Sequence, residues 1–179
     1  MANTSYEERA IKFANILAKM FKDCHELDDF VKVINIYNFT HVRKLKWDNG
    51  VSRIAIIRSD YVIKFDYTRT DSWKDGRAGN CASELEVYAK AVEDGMAHLL
   101  AKTTVLNING LTVSIMPKIN HVNDQNRNWW KHCTREEEKW LDENVNDLHD
   151  GNIGYLNNKV CVIDYAWAVR HTDDSESES

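Results

Sequence analysis

Asp147-Leu148-His149-Asp150-Gly151-Asn152-Ile153 is the stretch on which the reading of this chain turns. It is polar, it follows a segment of helical periodicity, and it precedes two short apolar runs separated by Asn157-Asn158, the second of which ends at Asp164. Asp, Asn and Gly are ordinary turn residues, so by itself the stretch reads equally well as an Asx-rich connection. Its weight comes from what stands around it in the chain.

Upstream, Ser5-Tyr6-Glu7-Glu8 has the form of a capping box, and Tyr6, Ala10, Phe13, Ala14, Leu17 and Phe21 recur at helical spacing, which predicts a helix over 5–22. Leu27, Phe30, Val31 and Ile34 predict a second helix ending before Asn38. From Thr40 the period changes to two. Strands are predicted over 41–47, 53–58 and 61–67, the first pair joined at Asn49-Gly50. A polar stretch over 68–79 leads to Asn80, an N-cap for a helix through Glu84, Glu86, Tyr88, Ala91 and Val92 that stops at Gly95. Strands over 99–108 and 111–116 flank Asn109-Gly110. A further helix is predicted from about 129 to 144, with Trp130, Cys133 and Trp140 on its apolar side and Glu136-Glu137-Glu138 as a solvated face. The expected fold class is α+β. A helical extension over 1–38 precedes a five-stranded antiparallel lobe over 39–119, a small second lobe covers 120–170, and an acidic, Ser-rich tail over 171–179 is expected to be disordered.

With 179 residues, 43% of them hydrophobic, the chain can bury the core of one domain or of two small lobes sharing a cleft. Its net charge of −5 is carried largely by Asp173, Asp174, Glu176 and Glu178, so the body is near neutral and nucleic acid is not an expected partner. The longest apolar runs, over 111–116 and 159–163, have strand length, which argues against a membrane span. Cys24, Cys81, Cys133 and Cys161 are widely spaced with no signal peptide ahead of them, so reduced thiols in a cytoplasm are expected. Cys24-His25 and His132-Cys133 lack the ligand spacing of a metal site.

The four polar residues Asp147, His149, Asn152 and Asp164 suit one chemistry in particular. Moving the γ-phosphoryl of ATP needs a carboxylate to orient the acceptor hydroxyl, an amide oxygen and a second carboxylate to hold Mg²⁺, and a cation on the phosphates. Magnesium prefers hard oxygen ligands, which Asn152 and Asp164 supply.

The stretch 147–153 resembles the catalytic loop of protein-kinase-like phosphotransferases. His149 brings it closer to the aminoglycoside-kinase form and to the compact Ser/Thr protein kinases encoded by bacteriophages. The resemblance implies Asp147 as base, His149 as a γ-phosphate contact, and Asn152 and Asp164 as Mg²⁺ ligands; from its own chemistry His149 reads equally well as a hydrogen-bonded loop histidine. Tyr61-Val62-Ile63-Lys64 stands where the family has Val-Ala-Ile-Lys, so Lys64 would contact the α- and β-phosphates of ATP, partnered by Glu84 or, second, by Glu86. Met116-Pro117-Lys118-Ile119 falls where the family's hinge meets adenine, and Gly50 lies in the turn that would cover the nucleotide. The resemblance spans about 40–167. It implies a minimal kinase-like fold with a truncated C-lobe, ATP and Mg²⁺ as cofactors, a protein substrate in the host cell, and a second copy of the chain as a candidate partner.

The chain also departs from the family. Asp48-Asn49-Gly50-Val51-Ser52 offers one glycine where the family carries Gly-x-Gly-x-x-Gly, and Val145-Asn146 precedes the base. Asp164-Tyr165-Ala166 replaces Asp-Phe-Gly, and with Pro117 the sole proline no Ala-Pro-Glu motif follows. Two rival functions are a pseudokinase module that inhibits or redirects a host protein without phosphoryl transfer, and a kinase of small molecules. Ser175, Ser177 and Ser179 sit among acidic residues as candidate phosphoacceptors, each phosphate adding about −1.5 to −2 charge.

Overall fold

A computed structural model describes residues 5–50, 52–67, 80–121, 128–145 and 148–165. Two helices, α1 (Tyr6–Met20) and α2 (Leu27–Thr40), open the chain. The Ser5 hydroxyl accepts the Glu8 amide at 3.2 Å, and Glu26 with Asp29 forms the capping box of α2. The antiparallel strands β1 (Lys46–Asn49), β2 (Arg53–Ile57) and β3 (Tyr61–Asp66) follow, then helix α3 (Cys81–Glu93) and the hairpin β4 (Thr104–Ile108) and β5 (Leu111–Pro117). These strands form one sheet in the order β1-β2-β3-β5-β4. A second sheet contains β6 (Asn120–His121), β7 (Ile153–Leu156) and β8 (Lys159–Val162), with helix α4 (Arg135–Asn144) between β6 and β7 in the chain. The architecture is α+β, with a five-stranded antiparallel sheet and four α-helices among the described residues.

Period-two alternation sorts the first sheet into two chemically different faces. Ile54, Ile56, Ile63, Phe65, Val113 and Ile115 point to one side, where Ala10, Ala14, Leu17, Phe21, Phe30 and Ile34 of α1, α2 and the turn between them complete the core. Phe21 meets Phe65 edge to face at 5.1 Å and Phe30 at 4.9 Å. The first two helices therefore share one core with the sheet. The register Ala55↔Lys64↔Ser114 puts the other parity, including Arg53 and Asp66, on the opposite side, toward α3.

Three boundaries differ from the expectations, each because a polar group found another partner. The strand expected over 41–47 begins only at Lys46, because α2 runs on to Thr40 and the Asn38 side chain clamps Leu45, accepting its N–H at 2.6 Å and donating to its carbonyl at 3.2 Å. The strand expected over 99–108 begins at Thr104, because residues 100–101 pair instead with β8, the Ala101 amide donating to Val162 O at 2.9 Å. The helix expected from 129 is a 3₁₀ turn, Trp129–His132, followed by a fresh start at Thr134, whose hydroxyl and amide exchange hydrogen bonds with Glu137. Glu137 also meets the His98 ring at 2.6 Å, so the Glu run is not wholly a solvated face. Trp129 and Trp140 are buried, while Trp130 is exposed.

The Asn-rich turns match their conformations: Asn109 and Gly110 (φ 54° and 82°), and Asn157 and Asn158 (φ 52° and 63°), adopt the left-handed pairs that two-residue hairpins require. Between the sheets, the chain passes from β5 through Lys118 and Ile119 into β6, which pairs with β7 at Asn120↔Tyr155 and His121↔Gly154. A Cβ on Gly154 would overlap the Asn120 carbonyl and the Ile119 side chain. Gly154→Ala should therefore destabilise the protein by about 1–3 kcal/mol in a denaturant titration; an unchanged midpoint would show that β6 and β7 do not approach this closely.

Candidate functional site

Four elements bring charge to one point beneath the first sheet. β3 carries Lys64 and, two residues on and on the same face, Asp66. Asp66 accepts the Cys81 amide at 3.1 Å, fixing the positive end of α3 against the strand. Asn80 caps the same helix, accepting the Ser83 amide at 2.7 Å. Glu84, one turn into α3, is thereby held fully buried against Lys64, with Lys64 Nζ donating to Glu84 Oε1 at 2.5 Å and Ser114 Oγ to Oε2 at 3.0 Å. Glu86 is exposed and takes no part in this pair.

Asp164 arrives from the second sheet. Ile163 donates its amide to the Asn152 carbonyl at 2.8 Å, which sets Asn152 beside the strand end. There Asp164 turns into the left-handed region at φ 59°, a conformation that costs a non-glycine residue about 1 kcal/mol and that recurs at functional sites. Its Oδ1 accepts from Lys64 Nζ at 3.3 Å and from Arg53 Nη2. Arg53 Nη1 lies 2.8 Å from Glu84 Oε1, close enough for charge attraction but without an aligned hydrogen bond. Lys64, Arg53, Glu84 and Asp164 thus form a neutral set of two cations and two carboxylates.

Burial alone would raise the Asp164 carboxyl, but Lys64 and Arg53 outweigh it and hold the group below its ordinary value. Desolvation would lower the Arg53 guanidinium, but Glu84 and Asp164 prevail and raise it. Asp66 is raised by burial in spite of its hydrogen bonds to Cys81.

A cleft of about 220 Å³ opens beside this set, between the two sheets. Lys64, Asn152 and Asp164 form one end of its wall, Met116 and Lys118 another, and Gly50 with Asp48 and Asn49 a third. Glu84 stands behind Lys64. In the segment 116–119 the Lys118 N–H donates to Asp60 O at 3.0 Å, and Asp60 is in turn gripped by Arg9 of α1. Gly50 needs no glycine conformation, since its φ is ordinary and a Cβ there would meet nothing within 4 Å. His149 accepts the Gly151 amide at 3.0 Å and starts the 3₁₀ turn Asp150–Asn152; it is exposed and lies outside the cleft wall. Asp147 and the acidic Ser tail lie outside the described residues.

The donors at the inner end fit a hard cation. Asn152 and Asp164 offer oxygens, and Asp164 Oδ2 carries no hydrogen bond among the described residues. No group of three or more His, Cys, Asp or Glu that could hold a metal ion occurs among the described residues. No described helix is long and apolar enough to cross a membrane.

Arg53 is the site residue that the sequence reading passed over. Its signal was available: Ile54 and Ile56 alternate into the core, so Arg53 is a charged residue on the other strand face, where it pairs with Asp66 while Ala55 pairs with Lys64.

The chain matches no protein-family model and no curated protein. Among solved structures it is similar to a co-crystal of WbdD with a kinase inhibitor, at 17% identity and a TM-score of 0.43, over 71% of this chain and 33% of that one. It therefore spans about a third of that chain's length.

Glu84→Gln leaves Lys64 and Arg53 buried without their shared counter-charge, and should cost about 3–5 kcal/mol of unfolding free energy; Glu86→Gln, at an exposed position, should cost less than about 0.5 kcal/mol. A carboxylate whose value is depressed on folding contributes stability that is complete above its unfolded value, about 3.9, and that disappears as pH falls through the folded value. Asp164→Asn should accordingly show a shallower loss of stability than wild type between about pH 5 and about pH 2; parallel curves would show that Asp164 gains nothing from its two cations.

Proposed function

We propose that the protein is an ATP- and Mg²⁺-dependent phosphotransferase acting on protein Ser or Thr, of the compact kind that the resemblance to phage-encoded kinases implies. The observation that carries this reading is the convergence of Lys64, braced by buried Glu84, with Asn152 and Asp164 on one wall of the cleft between the sheets. Ion pairs of this sort are expensive to bury, and their presence beside a cleft marks a candidate site of charge chemistry.

In this reading Lys64 offers its ammonium to the nucleotide phosphates, and Glu84 holds that ammonium in place by accepting from it. Asn152 and Asp164 would hold the metal, and a magnesium ion supplies neutralisation of phosphate charge when bound. Met116 and Ile119 form an apolar seat for a flat ring, flanked by Val62 and Ile57. Asp147 would orient the acceptor hydroxyl, five residues ahead of Asn152 in the same loop. Catalysis of this kind works through positioning and fixed charge more than through covalent chemistry.

A second reading, a nucleotide-binding module without transfer, is favoured by one observation: the turn at Gly50 lacks the glycine geometry of a phosphate-covering loop. Labelled γ-phosphate transfer from Mg²⁺-ATP, to the protein itself and to proteins of a bacterial lysate, separates the two. Transfer should occur with wild type and fall by about 100-fold or more in Asp147→Asn, with nucleotide affinity nearly kept. Nucleotide bound with no transfer in either protein would leave the binding module as the correct reading.

A further inference from the structure

Arg53 belongs to the charge set yet stands one layer behind the cleft wall, with its side chain 8% exposed. Its backbone is pinned, since Arg53 O accepts both the Tyr67 hydroxyl and the Gly50 amide at 2.9 Å. Its side chain is held by charge, between Asp164 and Glu84, more than by aligned hydrogen bonds. A guanidinium has five N–H donors, and among the described residues this one makes a single aligned hydrogen bond, to Asp164 Oδ1, while Nη1 is buried without one. Lys64 is occupied first by Glu84 at 2.5 Å and reaches Asp164 only at 3.3 Å. The immediate cation on Asp164 is therefore Arg53, seated where its charge competes with that of any metal the carboxylate would take.

We propose that Arg53 is an internal counter-cation for Asp164, a positioning residue that keeps a free divalent cation off the carboxylate and yields only when the cation arrives together with an anionic phosphate ligand. The inference rests on the nucleotide-site reading of Asp164. A free divalent cation placed beside Arg53 and Lys64 meets two positive charges in a partly desolvated site, where repulsion over a few ångströms is far stronger than in water. A cation carried by a polyphosphate brings net negative charge, to which the unused donors of the fork can turn while the Arg53 backbone stays in place. The two ligands thereby become coupled, each favouring the other through one side chain. Arg53 opens β2 directly after the glycine-poor turn, so the same side chain would supply a phosphate contact that the turn does not.

Mn²⁺ alone, titrated into the full chain and followed by loss of the free-ion electron paramagnetic resonance signal, tests the idea without nucleotide or turnover. Arg53→Met should bind Mn²⁺ about tenfold or more tightly than wild type, whereas Arg53→Lys, which keeps the charge, should stay within about threefold of it. A merely structural role predicts loss of binding in both variants, and equal or weaker Mn²⁺ binding by folded Arg53→Met would overturn the proposal. Should that variant not fold, the ¹⁵N-detected guanidinium signals of wild-type Arg53 decide. They should stay in place under Mg²⁺ alone and move when Mg²⁺ and ADP are added together; movement under Mg²⁺ alone, or none with the nucleotide bound, would overturn it. Tighter Mn²⁺ binding by Arg53→Met in a protein that binds no nucleotide would overturn the phosphotransferase reading and leave the counter-cation standing.

Discussion

Three buried charges with a fourth, half-exposed one beside them persist only as a set, and that constraint organises the molecule. Lys64, Arg53, Glu84 and Asp164 come from β3, β2, α3 and the end of β8, and each of the three buried groups would cost several kcal/mol to bury without its partners. The register of β2 on β3, the angle at which α3 meets the sheet and the approach of the second sheet must all be right at once. A slip of one residue in β3 would send Lys64 into the face where Phe21, Phe30 and Phe65 pack and leave Glu84 with no ammonium.

The helix α3 joins the two halves of the structure. Its first turn is tied to β3 through Asp66 and Cys81, and its Glu84 faces the charge set. The same stripe continues as Val87 and Ala91, which pack with Leu99, Trp140, Leu141, Ile153, Val162 and Tyr165. One helix face thus serves a polar cluster at one end and an apolar core at the other. Tyr165, next to Asp164, is fully buried, and its hydroxyl donates to Ala101 O at 2.5 Å. The strand end that carries Asp164 is anchored from both sides, which is what a strained left-handed residue needs in order to persist.

Much of this was written locally. The Asn-Gly and Asn-Asn turns, the Ser5 and Asn80 caps and the change from helical to alternating periodicity at residue 40 act over a few residues, and their outcomes follow from φ preferences and nearest hydrogen-bond partners. The elements that departed from expectation did so where a side chain or strand reached a partner outside its own element. Asn38 holds Leu45 across the break between α2 and β1, while residues 100–101 pairing with β8 and Glu137 bridging to His98 are decided by contacts that no window of ten residues contains. The Lys118 amide is taken by a carbonyl nearly sixty residues earlier for the same reason.

The sequence by itself determined the α+β class, the strand order along the chain, the alternation that puts Lys64 opposite the Ile63 and Phe65 face, and the candidates Lys64, Glu84, Asn152 and Asp164, because spacing and residue chemistry are properties of the chain. Only the tertiary structure decided that Glu84 and not Glu86 meets Lys64, that Arg53 shares the carboxylates, and that His149 caps a turn outside the cleft wall. Those outcomes depend on how α3 is rotated against the sheet and how closely the second sheet approaches. Both are settled by packing and by the demand that buried charges be paired, which act between residues far apart in the chain and leave no local mark.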